Sequence, residues 1–142
     1  MNSDIERLKE ARIALTGAVR CAVYNEAGLA TSTERGIRPM ILWLEEDPEF
    51  LRGASVADKI VGRAAAMIMV YGGVREVYAS VVSNGAIEVF REAGIACTYS
   101  MSAIAISNRR GDGICPMERL VAPIKDPKSA YEALRNKVLI TE

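Results

Sequence analysis

Apolar positions recur at helical spacing at the start of the chain. Ile5, Leu8 and Leu15, with Arg12 among them, predict an amphipathic first helix with Ser3 or Asp4 as its N-cap and Gly17 as its stop. The period then changes: residues 18–24 read as a strand, Asn25-Glu26-Ala27-Gly28 as a turn and residues 29–33 as the returning strand, which predicts a β-hairpin. Pro39 opens an uninterrupted apolar run, Met40-Ile41-Leu42-Trp43-Leu44, and Asp47-Pro48 starts a further short helical turn that Gly53 ends.

From Ser55 to Gly72-Gly73 the positions Val56, Ile60, Ala64, Met67, Ile68 and Tyr71 repeat at helical spacing, and Ser55 with Asp58 makes an S-x-x-D capping pattern, so one long helix is expected. Residues 76–82 are rich in β-branched and aromatic types and predict a buried strand. Ser83-Asn84-Gly85 then turns into a helix through Ile87, Val89 and Phe90, closed by Gly94. Strands are expected over residues 95–99 and 102–107, a loop over 108–113, a short helix from Cys115-Pro116 and a last helix from Asp126-Pro127 with Tyr131, Leu134 and Val138 on one face. Strand, tight polar turn, helix, strand is the rhythm of a parallel α/β sheet.

Composition narrows the function classes. With 142 residues, half of them hydrophobic, the chain predicts one domain spanning residues 1–142. Its 18 Lys plus Arg against 18 Asp plus Glu leave no cationic surplus to neutralise phosphates, so no nucleic-acid partner is expected. No apolar stretch approaches the roughly 20 residues of a membrane span. The acidic, amphipathic start lacks a secretory pattern, and a cytoplasmic address is expected. Three scattered cysteines argue against a disulfide framework, and the absence of histidine removes every His-based triad and His metal ligand. No metal and no cofactor are expected.

Candidate chemistry concentrates in three places. Ser83 and Asn84 stand where a parallel strand gives way to a helix, a position at which unpartnered helical N–H groups take anions or carbonyls; the competing reading is that Ser83 or Asn84 only caps the helix. Asp58, Lys59 and Arg63 put charge on the first turns of the long helix, either for a ligand or as a cap and a solvated face. In Asn108-Arg109-Arg110-Gly111-Asp112-Gly113-Ile114-Cys115-Pro116-Met117-Glu118, the residues Cys115, Pro116 and Glu118 fall at N-cap, N1 and N3, a capping box with a thiol in place of a hydroxyl. That thiol is a candidate nucleophile or redox sensor, with Arg109 favouring the thiolate and Asn108 orienting a carbonyl; alternatively Cys115 is a small buried hydrophobe. Cys21 and Cys97 lie inside strand patterns and read as buried.

Asp58-Lys59-Ile60-Val61-Gly62-Arg63-Ala64-Ala65-Ala66, together with Asn108-Arg109 and Cys115-Pro116-Met117-Glu118, resembles the small prokaryotic family known as domain of unknown function 1893, over most of the chain from about Ala18 to Leu120. That family is similar in fold to the cytidine deaminases, so the resemblance implies a three-layer α/β/α arrangement: a helix, a hairpin and a mixed sheet sandwiched by helices. It implies no activity. Deaminases of that kind need a zinc-bound water and a Glu that carries its proton, from H-x-E or C-x-E on one helix and P-C-x-x-C on the next. Here no Cys or His occurs between Ala22 and Ala96, and Arg63 falls where the Glu would stand. The zinc site is therefore expected to be absent.

The expected function is a metal-free protein that binds a small nucleotide-like or anionic metabolite through Asp58, Lys59, Arg63, Ser83, Asn84 and Glu118. A Cys115-dependent enzyme or thiol sensor using Arg109 and Asn108, and a non-catalytic interaction module, are the alternatives. The apolar run at residues 40–44 carries more surface than one helix face buries, which predicts a homodimer through it unless it folds inward as a lid.

Overall fold

A computed structural model of the chain describes residues 4–108 and 110–140. The chain runs α1 (Asp4–Ala14), β1 (Cys21–Asn25), β2 (Gly28–Ser32), α2 (Arg38–Glu46), β3 (Ser55–Val61), α3 (Arg63–Gly72), β4 (Glu76–Ser83), α4 (Asn84–Ala93), β5 (Ala96–Ala103), α5 (Pro116–Val121) and α6 (Pro127–Ile140). The strands form one mixed sheet in the order β2-β1-β3-β4-β5. β1 pairs antiparallel with both β2 and β3, whereas β3, β4 and β5 run parallel. Among the described residues no helix is long and apolar enough to cross a membrane.

The hairpin, the β4–α4 unit and the last two helices form where the pattern puts them. α4 has the boundaries its sequence dictates: the Ser83 hydroxyl accepts from the Ala86 N–H at 3.1 Å, and Gly94 closes the helix in the left-handed region at φ 72°. The long helix expected from Ser55 is instead the strand β3 and the helix α3, joined at Gly62. Val56, Ala57 and Val61 are fully buried. A central strand covered on both faces shows no alternation, and its apolar run blended into the periodicity of the helix behind it. Ser55 and Asp58 accordingly cap nothing: Ser55 donates its hydroxyl proton to Glu76 across the parallel pair at 2.6 Å, and Asp58 lies mid-strand opposite Cys21. The separate strand expected over residues 102–107 does not form, because β5 runs on to Ala103 and the chain then bends away, with only an isolated bridge between Ser107 and Ile114.

Two layers of helix sandwich the sheet. α1 lays Ala11, with Leu8 and Ala14, on Ala22, Ala57 and Tyr78, and the Arg12 guanidinium stands 4.0 Å above the Tyr78 ring. The opposite face carries the main core, in which Phe90, Ile41, Leu51, Met67, Ile68, Met69 and Leu134 are fully buried; each such side chain contributes about 1.5–3 kcal/mol relative to exposure. α3 lies at its centre, against α4, α5 and α6, which is why its sequence is apolar nearly all round. The run at residues 40–44 takes the inward course. As part of α2 it buries Met40, Ile41 and Leu44, while Trp43 stacks on Phe50 at 4.9 Å and Leu42 alone is exposed, at 37%. A dimer through this run loses its basis, because the chain itself covers the surface on which the expectation rested. Tyr131 and Arg135 of α6 both reach Glu45, which fastens α2 to the far side of the core.

Candidate functional site

A cavity of about 480 Å³ opens at the carboxyl end of β3, where the strand gives way to α3. Open α/β sheets characteristically hold ligands in this position. Its floor is Asp58, Ile60 and Gly62; Ala64 and Ala65 of α3 and Met117 and Glu118 of α5 form one side. The other side comes from Arg35, Gly36 and Ile37, between β2 and α2, and from Ile106, Ser107, Asn108, Cys115 and Pro116, before and at the start of α5. A small annex of about 50 Å³ adjoins it, lined by Arg20, Glu34 and Lys59 and sharing Arg35, Gly36, Asp58 and Ile60 with the main chamber.

Glu118 defines the back of the chamber. Its carboxylate accepts from the Arg63 N–H and from the Ala64 N–H, both at 2.7 Å, and so closes the N-terminus of α3 from another helix. Gly62 makes room for it, since a Cβ at that position would stand 2.4 Å from the nearer carboxylate oxygen. The capping box expected within α5 is therefore not made. Cys115 does hold the N-cap position, but no side-chain bond closes the turn, and its own N–H donates to the Ile106 carbonyl at 2.9 Å. Glu118 finds two donors at the start of α3 where its own helix offers one.

Arg63 is the reciprocal half of this arrangement. Its guanidinium donates to the carbonyls of Val121 at 3.3 Å and Ile124 at 2.6 Å, just where α5 ends. The expected ligand role for Arg63 is thus corrected to a brace for α5, because its donors point away from the chamber into backbone carbonyls. Ser83 and Asn84 do not reach the chamber either. Ser83 is 2% exposed and holds its hydroxyl in the α4 cap, and Asn84 is exposed at the first position of that helix. The opening lies one strand over, at β3.

Asp58 lines both spaces and Lys59 the annex. The Lys59 ammonium donates to the Gly17 carbonyl at 3.1 Å. Burial pushes the Asp58 carboxyl up to about 8, the backbone amides of Lys59 and Ile60 offsetting only part of the desolvation. Cys21 beside it is raised well above the ordinary thiol range by burial and by the Asp58 charge, and burial lifts Cys97 to about 11, which disfavours the thiolate of both at neutral pH. Asn108 borders the chamber, but its carboxamide closes the loop with Asp112, donating at 2.9 Å and accepting from the Asp112 N–H at 3.2 Å. Arg109 lies outside the described residues. Among the described residues no three His, Cys, Asp or Glu side chains converge to hold a metal ion, so the donor set does not fit a zinc centre.

Arg20, Arg35, Gly36 and Ile60 escape a reading by local pattern. Ile60, 45% exposed near the end of a buried strand, was hidden by the helical periodicity of its neighbours.

Comparison with known proteins follows the same lines. The profile of the family described as Domain of unknown function (DUF1893) matches residues 11–138. The chain belongs to the DUF1893 family. A crystal structure of a DUF1893 family protein from Thermotoga maritima superposes with a TM-score of 0.85 at 23% identity, covering 96% of this chain and 92% of that one. The sheet and helices described above are thus shared within the DUF1893 family at low sequence identity. No curated protein matches the chain.

Proposed function

We propose that the chain binds a small molecule with a planar, largely apolar body and an anionic substituent, a nucleotide-like metabolite, on a scaffold of the cytidine-deaminase kind without its metal. The observation that carries this is the joining of two unlike spaces: a largely apolar chamber of about 480 Å³, within the range of small-molecule sites, and an annex whose lining includes Arg20, Arg35 and Lys59. An apolar wall takes a ring by area, and clustered cations take a phosphate or carboxylate. The helix, hairpin and helix-covered mixed sheet support the scaffold reading, as does the position of the chamber at a strand-to-helix junction.

Nucleoside monophosphates are expected to raise the melting temperature, with the parent nucleosides weaker by tenfold or more in affinity. Arg35→Ala is expected to weaken the phosphorylated ligands selectively, and Ile60→Trp, which fills the shared wall, to weaken both sets. A panel that shifts melting nowhere, in the intact protein at millimolar concentration, rejects the reading.

One observation favours a second reading, in which Cys115 reacts with ligand: its thiol borders the same chamber. Iodoacetamide labelling by mass spectrometry is expected to modify Cys115 ahead of Cys21 and Cys97, and bound nucleotide to slow it. Equal labelling rates for Cys115 and buried Cys21 in the folded protein would sink a role for the thiol.

A further inference from the structure

β5 ends the sheet, and among the described residues β4 is its one strand neighbour. Parallel strands are ordinarily covered on both faces. Here α1 packs on β1, β3 and β4, and α4 packs chiefly on α3, so the outer strand is left open on each side. Ser100 meets the Tyr78 hydroxyl on the α1 face, and Cys97 packs on the main core on the other. Alternation from these two residues puts Thr98, Ser100 and Ser102 on the α1 face, all exposed, and Tyr99 and Met101 on the α4 face, 47% and 63% exposed. Ile104, 88% exposed, follows directly. A bare edge is a template for a further strand, and proteins blunt such edges with lysine, proline or a bulge. β5 has no charged residue and no proline, and it keeps one register with β4 from Ala96 to Ala103.

We propose that β5 pairs antiparallel with β5 of a second copy of this chain, about a two-fold axis normal to the sheet beside Ser100, to make one continuous sheet of ten strands. The pattern of the strand argues for its own copy as the occupant. Opposite residues of an antiparallel pair share a face, and the axis at Ser100 matches like with like: Tyr99 stands opposite the partner's Met101, and Thr98 opposite the partner's Ser102. One pair brings sulfur to an aromatic ring, the other hydroxyl to hydroxyl. No like charges meet, because the strand has none. Backbone pairing over eight residues, about 26 Å of strand, falls short of the roughly 800 Å² per partner of a standard interface, and Tyr99, Met101 and Ile104 add apolar area along that same edge. β2, the opposite edge, is only five residues long and starts at Gly28. Pairing β5 with the partner's β2 would be heterologous and would extend into fibres, whereas β5 with β5 closes after two copies.

Sedimentation velocity of the unmodified chain at about 100 μM is expected to give a dimer that persists in 1 M sodium chloride, since no ion pair of the strand holds it. Tyr99→Lys with Met101→Lys, both at exposed positions, is expected to raise the dissociation constant at least tenfold with the far-ultraviolet circular dichroism unchanged. Ser100→Cys, in a chain that also carries Cys97→Ser and Cys115→Ser, is expected to form a disulfide-linked dimer when oxidised with diamide. A monomer at 100 μM overturns the proposal. So does a dimer that salt dissociates or that the two lysines leave intact, because its interface then lies elsewhere. Species that grow beyond the dimer with concentration show head-to-tail pairing and overturn it too. The cross-link reads the strand contact without the lysines, so it decides the matter even if that variant unfolds: a dimer whose Ser100→Cys thiols do not join is not paired through β5 in this register.

Discussion

Gly62→Ala is expected to destabilise the fold by about 2–3 kcal/mol, although residue 62 sits in extended backbone at φ −101° and ψ −175°, which any residue adopts. Space is what demands glycine here. The added Cβ would lie 2.4–2.8 Å from three atoms of the Glu118 carboxylate, which is the free end of a flexible side chain and swings aside cheaply. What is lost is the cap, since the N–H groups of Arg63 and Ala64 lose a charged acceptor. Glu118→Ala removes the same two bonds and is expected to cost a similar amount. The Gly62→Ala, Glu118→Ala double variant is then expected to be little worse than either single change. Urea unfolding followed by Trp43 fluorescence measures all three, and additive losses would show that the two residues act separately.

Asp58→Asn is expected to stabilise the protein at alkaline pH. The unfolded carboxyl titrates near 3.8 and the folded one near 8, so between those values the folded protein keeps a proton that the unfolded chain has released. Stability therefore falls as pH rises through that window and levels off above it. Each unit of such a shift corresponds to about 1.4 kcal/mol, and the asparagine variant is expected to gain more than about 2 kcal/mol over the parent at pH 9, with near parity at pH 4. Melting temperatures of the two proteins across that range provide the check; parallel profiles would show that Asp58 is not desolvated. A carboxyl retained where ionisation costs stability fits a group kept for binding.

Much of the architecture was legible because it is encoded locally. The β4–α4 unit is an apolar β-branched run, a serine cap and a closing glycine, each acting within a few residues. β3 was not legible, because burial on both faces erases the alternation that identifies a strand, and Ile60 and Ala64 sit a helical interval apart by coincidence. The site was legible only in fragments. Asp58, Lys59, Asn108, Cys115 and Glu118 drew attention as chemically capable residues, and each borders the chamber or the annex. Their arrangement was hidden because Glu118 meets α3 across 55 residues of chain, whereas a capping pattern looks only three residues along. Arg63 misled for the same reason, since its acceptors lie at the end of α5 and just after it. Arg35 and Gly36 belong to a polar connection with no pattern of its own.

The exchange between α3 and α5, one giving a carboxylate to the other's beginning and receiving a guanidinium at its own end, separates two kinds of sequence freedom in the chamber. α5 is a fixed post, and the segment from Ile104 to Ile114 is strung between it and the edge strand β5. Most of its described residues are exposed and touch the core little, so they are open to replacement without loosening the back wall. Substitutions there are thus expected to reshape the front of the chamber while Gly62, Arg63 and Glu118 hold the frame.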